Sequence, residues 1–314
     1  MKRRSPAPPG KPSAAAVAGA RPLTVTVESM GAQGHGMAHA GGVKVFIPFT
    51  LPGEKVRIAL NGGHASVVEI EKPSPDRVEP VCKHSGICGG CALQHWKEAR
   101  YLEWKESLLT SALARAGIDA RAGTLTTYPL SSRRRATFAV RKAGRDVELG
   151  YNIERTHTVI GLEECPVLLP QIASALPALK EALAGVMPAK AEAKIYVAAA
   201  ANGLDCAIQA PRLPAAACAA LAQALGAAGF IRADWGGELI LLAAVPFVLC
   251  GCVKVTLPPR SFLQAVEACE RDMAGWVVEA LTEAGAFRGP VCDLFAGLGA
   301  FSFPAARFSP VAAY

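Results

Sequence analysis

Three thiols, Cys82, Cys88 and Cys91, sit on one short loop that also carries Gly86, Gly89 and Gly90. Glycine lacks the β-carbon that would crowd a tight backbone, so the loop can fold the sulfurs toward one point. Three thiolates make an incomplete metal shell. The best-placed fourth donor is Cys165, which precedes Pro166 at the end of a strand-like segment and so falls at a rigid turn rather than on an apolar face. Four thiolates suit zinc or an iron-sulfur cluster. Structural zinc sites usually take cysteines two by two, whereas a C-x5-C-x2-C triplet with one distant partner is a three-plus-one set, and this spacing leans toward a cluster. Zinc, or thiols with no metal, remain open on spacing alone. The triplet is not the C-x3-C-x2-C of radical S-adenosylmethionine enzymes.

The chain around this loop has 314 residues, enough for two or three domains with their own cores. No uninterrupted apolar run reaches the length of a membrane span; the alanine-rich stretch 173–184 contains Pro177, Lys180 and Glu181. Ten cysteines without a signal-peptide pattern point to a reducing cytoplasm and metal ligation rather than a disulfide framework. The net charge of +7 is partly local, because residues 1–27 carry Lys2, Arg3, Arg4, Lys11 and Arg21 and no acid. Residues 1–21 read as a disordered basic tail, either a solubilising extension or a non-specific tether for nucleic acid.

Residues 22–75 alternate apolar and polar positions between glycine turns, with strands at 23–27, 43–48, 55–58 and 65–70, and predict a small closed β-barrel of the oligonucleotide-binding kind. Residues 76–258 predict a central α+β domain. Its amphipathic helix over 95–117 carries Trp96 and Trp104, which read as core anchors more readily than as base-stacking platforms. Arg133, Arg134 and Arg135 run straight into an alternating strand. On a strand Arg133 and Arg135 share a face and could clamp neighbouring phosphates, with a solvated edge as the competing reading. Helices at 170–184 and 214–228 accompany strands at 194–199, 204–209, 230–235, 239–245 and 247–257. Cys206, Cys218, Cys250, Cys252 and Cys269 read as small core residues. Residues 259–314 open with a long helix to about Gly285, then a strand, a turn and a short helix in the pattern Asp293-x-Phe295-x-Gly297-x-Gly299. The third glycine position of a dinucleotide fingerprint falls on Ser302, so this β-turn-α unit suits a cofactor without phosphates, S-adenosylmethionine, lying against the backbone. A plain βα corner is the alternative.

In this order the pieces resemble a known family. The stretch Gly34 to Ala38, the strand Val45 to Pro48 and the turn Leu51 to Glu54 look like a TRAM domain, which its family uses to hold RNA. With the run Cys88 to His95, distant Cys165, the segment Phe262 to Gln264 and the turn Asp293 to Gly299, the chain from about residue 22 onward resembles the bacterial RNA (uracil-5-)-methyltransferases, nearest to their cluster-containing 23S ribosomal RNA branch. The resemblance implies a multidomain protein: an OB-like TRAM barrel, a central α+β iron-sulfur domain and the start of a Rossmann-like α/β methyltransferase domain. It implies a 4Fe-4S cluster on Cys82, Cys88, Cys91 and Cys165, S-adenosylmethionine at Gln264, Asp293, Phe295, Gly297 and Gly299, and RNA, 23S ribosomal RNA foremost, as the partner of a cytoplasmic monomer, with Arg133 and Arg135 as RNA contacts. Ala300 stands where relatives are often polar.

Uracil C5 is too weak a carbon nucleophile to take a methyl group directly. In the family a cysteine thiolate first adds to C6, the resulting enolate takes the sulfonium methyl, and a base removes the C5 proton. The target base must also leave its stack. None of the ten cysteines matches that nucleophile; Cys292, the nearest, lies in a buried-looking strand, and the family's nucleophile and base fall beyond residue 314. The expectation is a C-terminally truncated chain without catalytic residues and inactive alone. Two alternatives are an RNA-binding iron-sulfur remnant and a radical cluster enzyme, the latter disfavoured by the cysteine spacing.

Overall fold

Alternating apolar residues between residues 23 and 72 do form strands: β1 (Leu23–Thr26), β2 (Ser29–Met30), β3 (Gly36–Ala40), β4 (Val43–Ile47), β5 (Lys55–Asn61) and β6 (His64–Lys72). The computed structural model describes residues 22–61, 64–120, 123, 125–154 and 156–314, and the basic tail expected over 1–21 lies outside them. These residues divide into two units, one running to Thr127 with Asn152–Thr156, the other comprising Tyr128–Tyr151 and His157–Tyr314.

The first unit corrects the expected closed barrel. Its strands make two separate antiparallel three-stranded sheets, ordered β1-β5-β6 and β2-β3-β4, and no described sheet closes on itself. The two sheets share a core of Val25, Val27, Ala38, Val45, Ile47, Val56 and Ile58. Alternation determines which side chains face that core; it does not determine which strand edges pair. Here β2 is two residues long, too short to carry a ladder onward, and β6 shifts register twice against β5, so the edges do not meet in a continuous seam.

Glu54 ties this sheet pair to the segment that follows. Its carboxylate is wholly buried and accepts from the Leu51 N–H at 2.9 Å, the Ser74 N–H at 3.1 Å, and Arg77 Nε and Nη2 at 2.6 and 2.8 Å. Arg77 also donates to the Phe49 carbonyl at 2.8 Å. Beside this pair lies His95, 3% exposed, with a buried Nε2 that has no hydrogen-bond partner among the described residues. Burial, and then the Arg77 charge, push its imidazole down from 6.5 to about 4, against the opposing pull of Glu54. A histidine kept neutral in the fold and free to protonate when unfolded makes acid destabilising. Stability is therefore full above 6.5 and falls by about 1.4 kcal/mol per pH unit down to about 4. Urea titrations at pH 7, 5.5 and 4.5 should show that slope, and His95→Phe should remove it.

The helix α1 (Glu98–Arg115) has no fully buried residue, and Trp104 within it and Trp96 just before it are half-buried. Trp104 packs on Trp96 at 5.9 Å and on Tyr101 at 6.1 Å between ring centroids, so its apolar contacts are aromatic and local.

The second unit contains β7 (Arg135–Ala143), β8 (Asp146–Asn152), β9 (Val159–Gly161), α2 (Pro170–Val186), β10 (Glu192–Ala200), β11 (Gly203–Gln209), α3 (Ala215–Ala227), β12 (Phe230–Trp235) and β13 (Glu238–Leu242). Its strands form a seven-stranded sheet in the order β13-β12-β11-β10-β7-β8-β9, with β11 and β12 parallel. Leu176, Leu179 and Leu183 follow Ile172 at spacings that line one face of α2, and they meet Phe138, Ile195, Cys206 and Ile208 in the main core with Leu221 and Leu225 of α3. Strand alternation turns Asp205, Arg232 and Asp234 to the other face. There Arg232 Nε and Nη2 pair with both Asp205 oxygens at 2.7 and 2.8 Å, with both residues buried.

Beyond the sheet come the hairpin β14 (Phe247–Cys250) and β15 (Val253–Thr256), α4 (Glu267–Glu283), β16 (Val291–Asp293), α5 (Ser302–Ala305) and β17 (Val311–Ala313), the last pairing parallel with β16. The single strand expected over 247–257 is thus split by a turn at Gly251 (φ 63°). That turn exposes Cys252, and the open face of the two-stranded β16–β17 sheet exposes Cys292, so neither is the core residue expected from its neighbours. The architecture is a multi-sheet α/β one. No helix of the described residues is long and apolar enough to cross a membrane.

Candidate cofactor and nucleic-acid sites

In the first unit, the cysteine loop is wound by local hydrogen bonds: Ser85 N–H to the Cys82 carbonyl at 3.0 Å, and Cys88 N–H to the His84 carbonyl at 2.9 Å. It docks on the returning segment of the same unit, where Gly89 donates to the Asn152 carbonyl at 3.0 Å and Cys88 bridges Ile153. A β-carbon at Gly89 would stand 2.8 Å from that carbonyl, so glycine is required for the contact. Cys88 is buried, and Gly90 N–H points at its sulfur at 3.4 Å. Burial pushes the Cys88 thiol up, and its neighbours Cys91 and Cys82 push the same way against the Gly90 hydrogen bond. Cys88 therefore feels both other thiols of its loop. Even so, among the described residues no group of three or more His, Cys, Asp or Glu side chains is arranged to hold a metal ion. Cys165 belongs to the second unit, half-buried against the main core in the turn before α2.

In the second unit, the arginine run behaves as alternation requires, but with more inward commitment than expected. Arg134 is 2% exposed, while Arg133 and Arg135 are half-buried on the opposite side. Arg133 Nε donates to the Arg135 carbonyl at 3.1 Å. Arg135 Nε donates to the Leu263 carbonyl, and its guanidinium lies 4.7 Å from the centroid of the exposed Phe262 ring. A cavity of about 160 Å³ opens beside it, lined by Arg135, Thr137, Tyr196, Asp205, Arg260 and Phe262 among others.

The segment Phe262 to Gln264 and the glycine turn meet. Leu263, Val248, Cys250 and Leu257 form a small apolar cluster onto which Leu298 and Phe303 pack. The turn starts where Asp293 Oδ2 accepts from Ser302 Oγ at 2.5 Å and the Asp293 carbonyl accepts from the Tyr314 N–H at 3.0 Å. Phe295 follows at φ 63°, with a side chain 97% exposed, a strained backbone of the kind that clusters at ligand sites. Gly297 has φ 59° and Gly299 φ 80°. A β-carbon on Gly299 would meet the Phe303 ring at 2.6 Å. The structure thus brings Leu263, the neighbour of Gln264, and Leu298 of the 293–299 turn into one cluster.

The TRAM-domain family model matches residues 21–61. An RNA methyltransferase of Caulobacter vibrioides, itself described as uncharacterized, is 40% identical over 297 residues, covering 91% of this chain and 70% of its own length. The 23S rRNA (uracil(1939)-C(5))-methyltransferase RlmD of Edwardsiella ictaluri is 30% identical over 303 residues, covering 91% of this chain and 68% of its own. This chain belongs to the TRAM-domain RNA (uracil-5-)-methyltransferase family. Its fold is shared by the Pyrococcus abyssi tRNA (uracil-54, C5)-methyltransferase, crystallised with S-adenosyl-L-homocysteine: the TM-score is 0.67 at 16% identity, over 93% of this chain and 72% of that one. Against the family background, the residues that sequence reasoning passed over are the buried ionic ones: Arg134 with Glu270, Arg232 with Asp205, and Glu54 with Arg77. Arg134 carried a signal, since it occupies the inward phase of an arginine run and Glu267 and Glu270 share one face of α4 at i, i+3.

Proposed function

We propose that this chain serves S-adenosylmethionine-dependent methylation of uracil C5 in RNA, with 23S ribosomal RNA as the substrate. Membership of the family carries the reading, and the shared packing of Leu263, beside Gln264, and Leu298 of the glycine turn supports it within this chain. The cofactor, when bound, supplies an electrophilic methyl group. This chain's contribution is to seat it: Gly297 leaves open space for a ligand against the backbone, Gly299 makes room for the Phe303 ring beneath the turn, Asp293 is oriented by Ser302, the exposed Phe295 ring offers an apolar face, and Gln264 offers its amide. Arg133 and Arg135 take RNA, the latter beside Phe262 at the mouth of the cavity. No catalytic nucleophile or base is assigned in residues 1–314.

Calorimetric titration with S-adenosyl-L-homocysteine tests the cofactor half, and RNA affinity against salt tests the other. Binding of the cofactor product, lost on Gly297→Val, where a side chain meets open space, is expected, together with an RNA salt slope that drops by about one on Arg133→Ala. RNA affinity with no affinity for the cofactor product would instead favour an RNA-binding role without catalysis.

The same reading makes Cys82, Cys88 and Cys91 of the loop ligands of a 4Fe-4S cluster. The donor chemistry fits, with three thiols on one loop, although the described side chains do not form a ready-made metal set. Protein purified without oxygen should contain about four iron and four acid-labile sulfide per chain, lost on Cys88→Ser. Stoichiometric zinc without sulfide would replace the cluster with the zinc alternative.

A further inference from the structure

Arg134 is the most enclosed charge described in the second unit, and its contacts converge on the segment around Gln264 and the start of α4. Its Nε donates to the Gln264 carbonyl at 3.1 Å, and its own N–H donates to the next carbonyl, Ala265, at 2.8 Å. Its Nη2 lies 2.8 Å from Glu270 Oε1, an ion-pair contact without a well-aligned hydrogen bond, and Nη1 is 3.9 Å from Glu267. Glu270 is 8% exposed, and its other oxygen faces the Gln264 N–H at 3.4 Å. One buried ion pair therefore holds both the N–H and the carbonyl of Gln264. The backbone of Arg134 is itself anchored, its carbonyl accepting from Ala199 N–H of β10 at 2.8 Å.

Stability alone does not account for this arrangement. Apolar residues of similar volume commonly replace a buried ion pair at no cost, whereas only the pair can grip two peptide groups of an irregular segment. The segment 257–265 between β15 and α4 has no strand or helix, and Val266 after it makes a single bridge to Arg133. The pair also stands next to the glycine turn: Cys250, whose thiol feels Glu270 and Arg134, points its sulfur at the Leu298 carbonyl at 3.6 Å.

We propose that Arg134 and Glu270 are positioning residues that lock the Gln264 backbone and thereby aim its side-chain amide at the cofactor beside the 293–299 turn. The proposal rests on the reading of Gln264 as a cofactor contact. It assigns a task to the middle arginine of the run, distinct from RNA contact by its neighbours.

The test compares wild type, Gln264→Ala, Arg134→Met/Glu270→Leu and the triple variant by S-adenosyl-L-homocysteine affinity, melting temperature and amide hydrogen exchange. The double variant should keep its melting temperature within a few degrees and lose about tenfold in affinity, the equivalent of one hydrogen bond. Exchange at residues 262–266 should accelerate while β7 stays protected, and adding Gln264→Ala should cost nothing more. Wild-type affinity in the folded double variant, or losses that simply add, would overturn the proposal. If wild type binds no cofactor product, or Gln264→Ala is neutral, the cofactor reading fails and the aiming role falls with it; exchange at 262–266 then still decides whether the clamp exists. Should the double variant not fold, Arg134→Lys decides: lysine keeps the charge without the planar fork, so faster exchange and weaker binding are expected, and wild-type behaviour counts against positioning.

Discussion

Glu54→Ala should destabilise the first unit by about 3–5 kcal/mol, because it removes one partner of a buried pair and leaves the other charge uncompensated. Arg77 would keep a guanidinium 11% exposed with only the Phe49 carbonyl still facing it, and the Leu51 and Ser74 N–H groups would lose their acceptor together. Urea denaturation monitored by tryptophan fluorescence in a Trp235→Phe/Trp276→Phe background reads this, since the remaining Trp96 and Trp104 both lie in this unit. The informative control is Glu54→Leu with Arg77→Met, which removes both charges and should recover most of the loss. A single variant as stable as wild type would mean that the carboxylate contributes nothing beyond what water supplies in its absence.

Arg232→Leu should cost the second unit a similar amount, about 3–5 kcal/mol near neutral pH, by stripping the cation from buried Asp205. Here the pH dependence is diagnostic. Burial already pushes the neighbouring Asp234 carboxyl up, with Asp205 adding to the push and Arg232, Arg260 and the Gly237 N–H opposing it. Losing Arg232 raises it further. An acid whose folded value lies above its unfolded value binds protons better in the fold, so the penalty is complete above the folded value and disappears as pH falls below the unfolded one. The variant should therefore close part of its gap to wild type between pH 7 and pH 4, the reverse of the trend expected from His95. Thermal melts at those two pH values separate the effects, and a gap independent of pH would point to lost packing instead.

Both effects stem from residues that a sequence reader has little reason to select. A lone Arg232 in an alternating strand looks like any solvent-facing charge, and Glu54 looks like a turn residue after Gly53. Their partners are distant in sequence: 27 residues separate Arg232 from Asp205, and 23 separate Arg77 from Glu54. Local pattern has no access to such pairings. What is local was readable. The spacing of Ile172, Leu176, Leu179 and Leu183 describes the buried stripe of α2, and the strand at Phe230–Trp235 follows from its composition and alternation. The phase of the arginine run, with Arg134 opposite Arg133 and Arg135, also follows from strand geometry, although the sequence could not say that the odd one out faces Glu270.

By itself the sequence determined the chemistry available: three thiols on one loop, an acid and glycines at a strand end, and a glutamine and phenylalanine ahead of a helix. Their order along the chain was sufficient to suggest the family. Only the tertiary structure decided how the edges of the first six strands pair, which is why the expected barrel gave way to two separate sheets. Only it decided that Cys252 and Cys292 are exposed, that no residue of α1 is fully buried, and that Gln264 is held by Arg134 and Glu270 next to Leu263, which packs in the cluster with Leu298 of the glycine turn. The physical reason is common to all of these. Periodicity reports which face of an element is apolar, through interactions a few residues apart, whereas edge pairing, burial of a given face and the partnering of charges depend on which distant segments the chain brings together.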